Sequence, residues 1–269
     1  MGVSEERGGS GLGAIEEALI ATALGRCLAA PSVLATIGAT HACPESGGDS
    51  TVSGRRTAAA YLHGGRIILV EDSKAERMLL RADTETVLFE RVFQSQPLED
   101  YLWHSPLREC GPQAEPVARF ATHGLLRLRL IDAAALCGIA EAAVGMAVAY
   151  AAVRKQFGRP IGGFQAIKHL CANMAVAARC ARDQVNFAAV ALDDSREDAA
   201  FQADCALIVA GNAALQNSGK NIQIHGGMGF SDEADPHLLL KRTQLLIALS
   251  GGLEAANCRI AEASAWRVK

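Results

Sequence analysis

The chain has 269 residues, enough to bury a substantial core in one large domain or two small ones. Half of its residues are apolar but only 5% are aromatic, so the interior is built from Ala, Leu, Val and Ile, a balance that favours helices over sheets. A formal charge of -3 and a pI near 6.2 exclude the basic excess of a nucleic-acid-binding module.

The opening stretch "MGVSEERGGSG" is acidic and glycine-rich. It lacks the basic-then-apolar layout of a signal peptide, and Glu6 breaks a myristoylation pattern. Residues 1–13 are expected to be disordered. From Ala14 to Ala39 apolar residues recur at helical spacing and are interrupted at Pro31, which predicts two helices joined by a bend within a segment 14–40.

Between His41 and Pro106 the texture changes. Gly, Ser and Thr punctuate short β-branched runs such as "RIILV" (Arg66 to Val70) and "TVLFERV" (Thr86 to Val92), which predicts a small β-domain over 41–106 with four or five strands and a thin core. A linker rich in Pro and charge, "SPLRECGPQAEPVARF", leads into a helical half over 117–269.

That half is expected to hold helices over 124–156, 163–193, 198–219, 235–249 and 252–266. Stop signals stand at Gly158 with Pro160, at Asp193 with Asp194, and at Gly219. Long helices with short connections form an antiparallel bundle. The apolar run "LIDAAALCGIAEAAVGMAVAYAAV" contains Asp132 and Glu141, so it reads as a helix packed on several sides and not as a membrane span. Its unused face calls for a partner, which implies an oligomer. Eight cysteines, with no C-x-x-C pair, read as small buried thiols of a reducing cytoplasm, neither a disulfide frame nor a zinc site.

Three strings carry chemistry. In "YAAVRKQFGRPIGGFQAIKHLCANMA" a helix ends near Gly158 and another starts at Phe164-Gln165, so Arg154 and Gln165 can converge, although a bland αα-hairpin has the same spacing. In "KNIQIHGGMGF" the glycines at 226, 227 and 229 allow close backbone approach to a phosphate or carboxylate, although on spacing alone a simple helix cap and turn is the better reading. The preceding strand and G-x-G-x-x-G spacing of a dinucleotide fold are absent. In "DPHLLLKRTQLLIALSGGLEAANCRIAEA" two helices flank Ser250-Gly251-Gly252.

Together and in this order the strings resemble the C-terminal helical domain of the acyl-CoA dehydrogenase family, over Leu125 to Ala263. Upstream, "LGRCLAAPSVLATI" resembles the family's last N-terminal helix and "VSGRRTAAAYLHGGRIILV" a degraded version of its central β-domain. The resemblance implies a mainly α chain with a small β-rich middle and a C-terminal antiparallel four-helix-type bundle, a truncated acyl-CoA dehydrogenase architecture. It implies α,β-dehydrogenation of an acyl-CoA thioester with FAD at a subunit interface. Carried over by position, Arg154, Gln156, Phe157, Gln165, Gln223, Gly226 and Gly227 would hold the adenosine-pyrophosphate end of FAD. Arg129 matches a family arginine near the acyl-CoA, with Arg127 beside it as an alternative surface charge.

The family needs a carboxylate to take the α-proton, usually a Glu before a Gly-Thr pair between the last two helices. That slot holds Ser250, whose hydroxyl without an activating partner is a poor base. The alternative family slot, on the first bundle helix, is Leu128. Glu254 is a displaced candidate, about 6 Å farther along the axis. The family's flavin-facing β-domain motif survives only as an echo in "CPESGGDS" (Cys43 to Ser50).

The resemblance and these departures from it imply a short, base-lacking subunit of a heterotetrameric enzyme, paired with a full-length dehydrogenase subunit, acting on a bulky acyl-CoA such as a steroid-derived one, with electron-transfer flavoprotein as acceptor. A stand-alone homo-oligomer using Glu254 and a non-enzymatic binding module are the alternatives. No metal, nucleic acid or membrane insertion is implied.

Overall fold

The computed structural model describes residues 10–41, 56–63, 66–70, 75, 77–81, 86–89, 95–97, 107–110, 118–120 and 122–263. Two short helices open it, α1 (Ala14–Arg26) and α2 (Pro31–Ala39). Pro31 sits at the first position of α2, where its missing N–H leaves no bond unmade, so the sequence break becomes a helix start.

Five helices follow the sheet: α3 (Thr122–Val153), α4 (Gln165–Asp193), α5 (Ala199–His225), α6 (Pro236–Leu249) and α7 (Leu253–Glu262). Helix α3 is the axis. It is buried at every position from Leu130 to Ala140 and packs on α1, α4 and α5. Among the described residues it is the one helix long and apolar enough to cross a membrane. Its two acids are answered within the fold. Asp132 pairs with Arg81, and Glu141 accepts from Arg26 Nε at 2.6 Å and from Arg182. The face expected to await another chain is therefore covered by this chain over most of its length, and only the last turns expose Val148 and Val153.

Strands β1 (Thr57–His63), β2 (Arg66–Val70), β3 (Arg77–Arg81), β4 (Thr86–Phe89), β5 (Ser95–Pro97), β6 (Leu107–Cys110) and β7 (Ala118–Arg119) form a seven-stranded sheet in the order β5-β6-β2-β1-β3-β4-β7. β1 and β3 run parallel, Ala59 opposite Leu79, and the other pairs are antiparallel. Alternation gives the sheet two apolar faces. Ala59, Ile68, Val70, Leu79 and Leu88 join the bundle core, while Ala58, Ala60, Leu69, Met78, Val87 and Phe89 make a small cluster of their own.

Two sequence expectations change here. The sheet exceeds four or five strands because the supposed linker supplies β6 and β7; strands of two to four residues are too short for periodicity to register. Helix α5 does not stop at Gly219. It continues to His225 because helical spacing carries Ile222 and Ile224 into the core. The stretch "CPESGGDS" and residues 1–9 and 264–269 lie outside the described residues; at the start of the described chain, the Leu12 carbonyl accepts from Arg127 Nη2 at 3.4 Å.

Cysteine burial also departs from expectation. Cys27, Cys180 and Cys258 are exposed on helix surfaces, and Cys137 is the buried one among the described thiols, all of which are free.

Candidate functional site

Two segments far apart in sequence wall a cavity of about 640 Å³ where α3 and α5 end. After Val153 the chain does not prolong α3 to residue 156. It turns through a hairpin of β8 (Lys155–Gln156) and β9 (Arg159–Pro160), in which Gln156 is opposite Arg159. The two turn residues, Phe157 (φ 53°) and Gly158 (φ 79°), are both left-handed, as a tight two-residue hairpin requires. Glycine adopts this freely, whereas Phe157 does so against the steric preference of an L side chain. The Phe157 ring is 91% exposed and meets Phe164 edge-on at 6.1 Å, while the Arg159 guanidinium lies 4.2 Å from the Phe164 ring centre.

The Ile161 N–H donates to the Arg154 carbonyl at 2.8 Å, which folds the segment back against the end of α3. The Arg154 side chain is exposed at the cavity wall and forms no ion pair among the described residues. Helix α4 begins at the same wall, with Phe164 and Ile167 lining it and no side chain capping its first N–H groups. A free guanidinium and an uncapped helix N-terminus both favour an anionic guest.

The opposite wall is the end of α5 and the 3-10 turn Gly226–Phe230. Gly226 has φ 62° and ψ -138°, a conformation reserved for glycine. Nothing lies within 4 Å of a Cβ built on Gly226 or Gly227, so this backbone faces open space. At Gly229 a Cβ would stand 2.5 Å from the Ile222 carbonyl oxygen; that glycine lets the turn pack on α5.

Of the residues expected at the nucleotide site, Arg154, Gln156, Phe157, Gly226 and Gly227 line this one cavity. Gln165 and Gln223 are exposed next to lining residues but stand outside the wall itself. Tyr150 and His225 line it without having been singled out from sequence. The signal was present: Tyr150 lies one helical turn before Arg154, and His225 is inside the glycine motif.

The remaining expected residues lie elsewhere. Arg129 precedes Arg154 by about 37 Å along the α3 axis. Its guanidinium pairs with Asp204 at 3.4 Å, and Asp204 also receives Arg259 at 2.7 Å, which ties α3, α5 and α7 together. Burial pushes the Arg129 pKa down, and Asp204 opposes that shift. Arg127 is no surface charge: it is buried, 3.3 Å from Glu17, because α1 folds over this end of α3.

Ser250 Oγ donates to the Ile247 carbonyl at 2.8 Å and so closes the end of α6. Glu254 is an exposed acid in the first turn of α7. Leu128 is 1% exposed. It lines, with Leu249, Leu246, Arg81 and Asp132, a gap of only about 10 Å³ between sheet and bundle. That is at or below the room one water needs, on the order of 10–15 Å³.

The model of the "Acyl-CoA dehydrogenase, C-terminal domain" matches residues 118–265, more than half of the chain. Acyl-CoA dehydrogenase FadE34 of Mycobacterium tuberculosis is 40% identical over 125 residues, covering 45% of this chain and 17% of that protein. Acyl-CoA dehydrogenase IpdE2 of Mycolicibacterium smegmatis is 28% identical over 244 residues, covering 89% and 76%. The chain spans 17%, 35% and 34% of the length of FadE34 and of two further curated relatives.

Among solved structures, a Tcur3481-Tcur3483 steroid ACAD variant superposes with a TM-score of 0.77 at 20% identity, over 97% of this chain and 83% of that one. The ChsE4-ChsE5 complex of Mycobacterium tuberculosis superposes with a TM-score of 0.75 at 23% identity, over 99% and 85%. Both likenesses establish the fold. With the family model matched across the bundle and the fold shared along nearly the whole chain, this protein belongs to the acyl-CoA dehydrogenase family.

Proposed function

We propose that this chain is the base-lacking subunit of a heteromeric, FAD-dependent acyl-CoA dehydrogenase. A full-length family member would supply the carboxylate, and the substrate would be a bulky acyl-CoA of steroid type. The observation that carries the proposal is a contrast within one chain. The cavity gathering the two nucleotide motifs is open, about 640 Å³, whereas the gap lined by Leu128, one of the two family positions for a base, and by Leu249, the chain neighbour of the other, is about 10 Å³.

The residues of the open cavity fit a dinucleotide. Arg154 would meet the pyrophosphate and stay charged at any physiological pH. The Gly226-Gly227 backbone, with no atom within 4 Å of either Cβ position, leaves room for a ligand against main-chain amides. Gln156 adds a side-chain amide at the wall, and Gln165 and Gln223 stand ready for whatever projects past the rim. When bound, FAD supplies the hydride acceptor for the β carbon.

Phe157 on the cavity wall is 91% exposed, and Val153 and Phe230, within two residues of lining positions Arg154 and Met228, are 73% and 74% exposed, apolar surface suited to a partner. The solved relatives named as a Tcur3481-Tcur3483 steroid ACAD and as a ChsE4-ChsE5 complex support both the two-chain assembly and the substrate class. Electron-transfer flavoprotein is the proposed electron acceptor, and the cytoplasm the proposed compartment. Arg129, engaged with Asp204, is given no acyl-CoA contact.

The test is purification of this chain alone and together with a full-length family member carrying the Glu-Gly-Thr sequence. Stably bound flavin and desaturation of a steroid acyl-CoA should appear only in the complex, while the cavity of this chain by itself should still take an adenine nucleotide at millimolar concentration. Replacing Arg154 by Ala there should weaken FAD binding by roughly 1.5–3 kcal/mol, the worth of a hydrogen bond to a charged group. Stoichiometric flavin and full activity from this chain alone would sink the proposal.

A further inference from the structure

His225, the last residue of α5, contributes to the cavity wall. Its Nδ1 lies 2.8 Å from the Asn221 carbonyl oxygen. A carbonyl only accepts, so Nδ1 carries the proton and donates, and in the neutral ring Nε2 is the bare, accepting nitrogen. Nε2 has no hydrogen-bond partner among the described residues, and it is not among the buried side-chain atoms sealed from solvent without a partner. The acceptor therefore opens onto the cavity.

The ring is held from two sides. Tyr150 stacks on it with centroids 4.0 Å apart and planes inclined by 24°, and the Tyr150 hydroxyl donates to the His225 carbonyl at 3.5 Å. Asn221, wholly buried, donates from Nδ2 to Met146 Sδ at 3.2 Å, which fixes the turn whose carbonyl takes the His225 proton. Helices α3 and α5 thus fix the place, the tilt and the tautomer of one imidazole next to Gly226 and Gly227.

Arg154 and the glycine amides offer donors, which suit phosphate oxygens. Nε2 offers the complement, an acceptor beside those donors. In FAD, O–H groups flank the pyrophosphate on both sides, on the ribityl chain and on the adenosine ribose, and the adenosine end is the one proposed above to lie in this cavity. We propose that His225 accepts a ribose hydroxyl of the adenosine half of the bound nucleotide, with Tyr150 as the residue that positions it, a role that rests on the nucleotide assignment of the cavity made above.

The experiment titrates the purified 269-residue chain calorimetrically with ADP, 2′-deoxy-ADP and 3′-deoxy-ADP. One of the deoxy analogues should bind the wild type roughly tenfold more weakly than ADP, the loss of one ordinary hydrogen bond. In His225→Phe, which keeps a ring against Tyr150 but has no Nε2, that analogue and ADP should bind alike. Tyr150→Phe keeps the stack and should preserve the discrimination; Tyr150→Leu removes the stack and should abolish it while ADP still binds.

ADP binding without discrimination in the wild type, or discrimination that survives in His225→Phe, overturns the role of His225 and leaves the nucleotide cavity standing. Failure of the wild type to bind ADP at millimolar concentration overturns both.

Discussion

Arg81 of β3 and Asp132 of α3 meet as an ion pair at the seam between sheet and bundle, their side chains only 7% and 2% exposed. The pair sits against Leu128 and Leu246 around the gap of about 10 Å³. It closes, with charge satisfied internally, the seam beside Leu128, the first-bundle-helix position for a base. Burial pushes the Asp132 carboxyl up, and the Arg81 guanidinium beside it pulls the other way. Asp132→Ala strands a buried guanidinium and should cost about 3–5 kcal/mol in urea unfolding, whereas the paired change Arg81→Met with Asp132→Leu should be near neutral. Equal losses in the single and paired variants would show that packing, not charge, holds the seam.

Helices α1 and α3 cross at two glycines. A Cβ on Gly25 would lie 2.0 Å from the Ala135 carbonyl oxygen, and one on Gly138 would lie 2.0 Å from the Thr22 carbonyl oxygen. Backbone cannot yield as a side chain does, so Gly25→Ala and Gly138→Ala should each destabilise by about 1–3 kcal/mol or more. Gly145 on α3 and Gly219 on α5 have nothing within 4 Å of the added carbon. Alanine there should raise stability by roughly 0.4–1 kcal/mol. Thermal denaturation of the four variants separates the two classes.

Cysteine reactivity should divide along burial. Burial pushes the Cys137 thiol up to about 12, with the Glu141 carboxylate adding to the effect, so it remains protonated and unreactive at pH 8. Cys27, Cys180 and Cys258 are exposed and should label before Cys137 with a thiol reagent. Mass spectrometry of digested, labelled protein would check the order, and labelling of Cys137 should require unfolding.

At the start of α5, Arg196 Nε and Nη2 donate to the Asp198 carboxylate at 2.8 and 3.0 Å, and Gln202 adds a third bond at 3.0 Å. These bonds hold the Asp198 carboxyl down at about 2, below its ordinary 3.8. A depressed folded value stabilises the fold above the unfolded carboxylate range, and the contribution is lost as pH falls from there through about 2. Unfolding midpoints measured from pH 5 to pH 2 should show a shallower acid loss in Asp198→Asn than in the wild type.

Much of the helical half is legible along the chain. The spacing of apolar residues locates α1 to α4 and α6, Pro31 marks a helix start, and the string from Tyr150 to Phe230 carries most of the cavity wall. The errors share a cause. Gly219 reads as a stop, yet burial of Ile222 and Ile224 outweighs the roughly 1 kcal/mol that one helical glycine costs. Arg127 reads as surface and Cys180 as interior because neither residue type announces which helix face is covered.

Read along the chain, the residues specify local pieces: a helix-rich composition, the helix starts, a glycine turn after a long helix, and the absence of a carboxylate at residues 128 and 250. Which pieces meet is settled by the packed fold. Arg81 and Asp132 are 51 positions apart, and Tyr150 and His225 are 75. Helical period and turn chemistry act over a few residues and can be read in order. Which side chains meet across a core depends on the simultaneous packing of several helices, and no window along the chain contains that information.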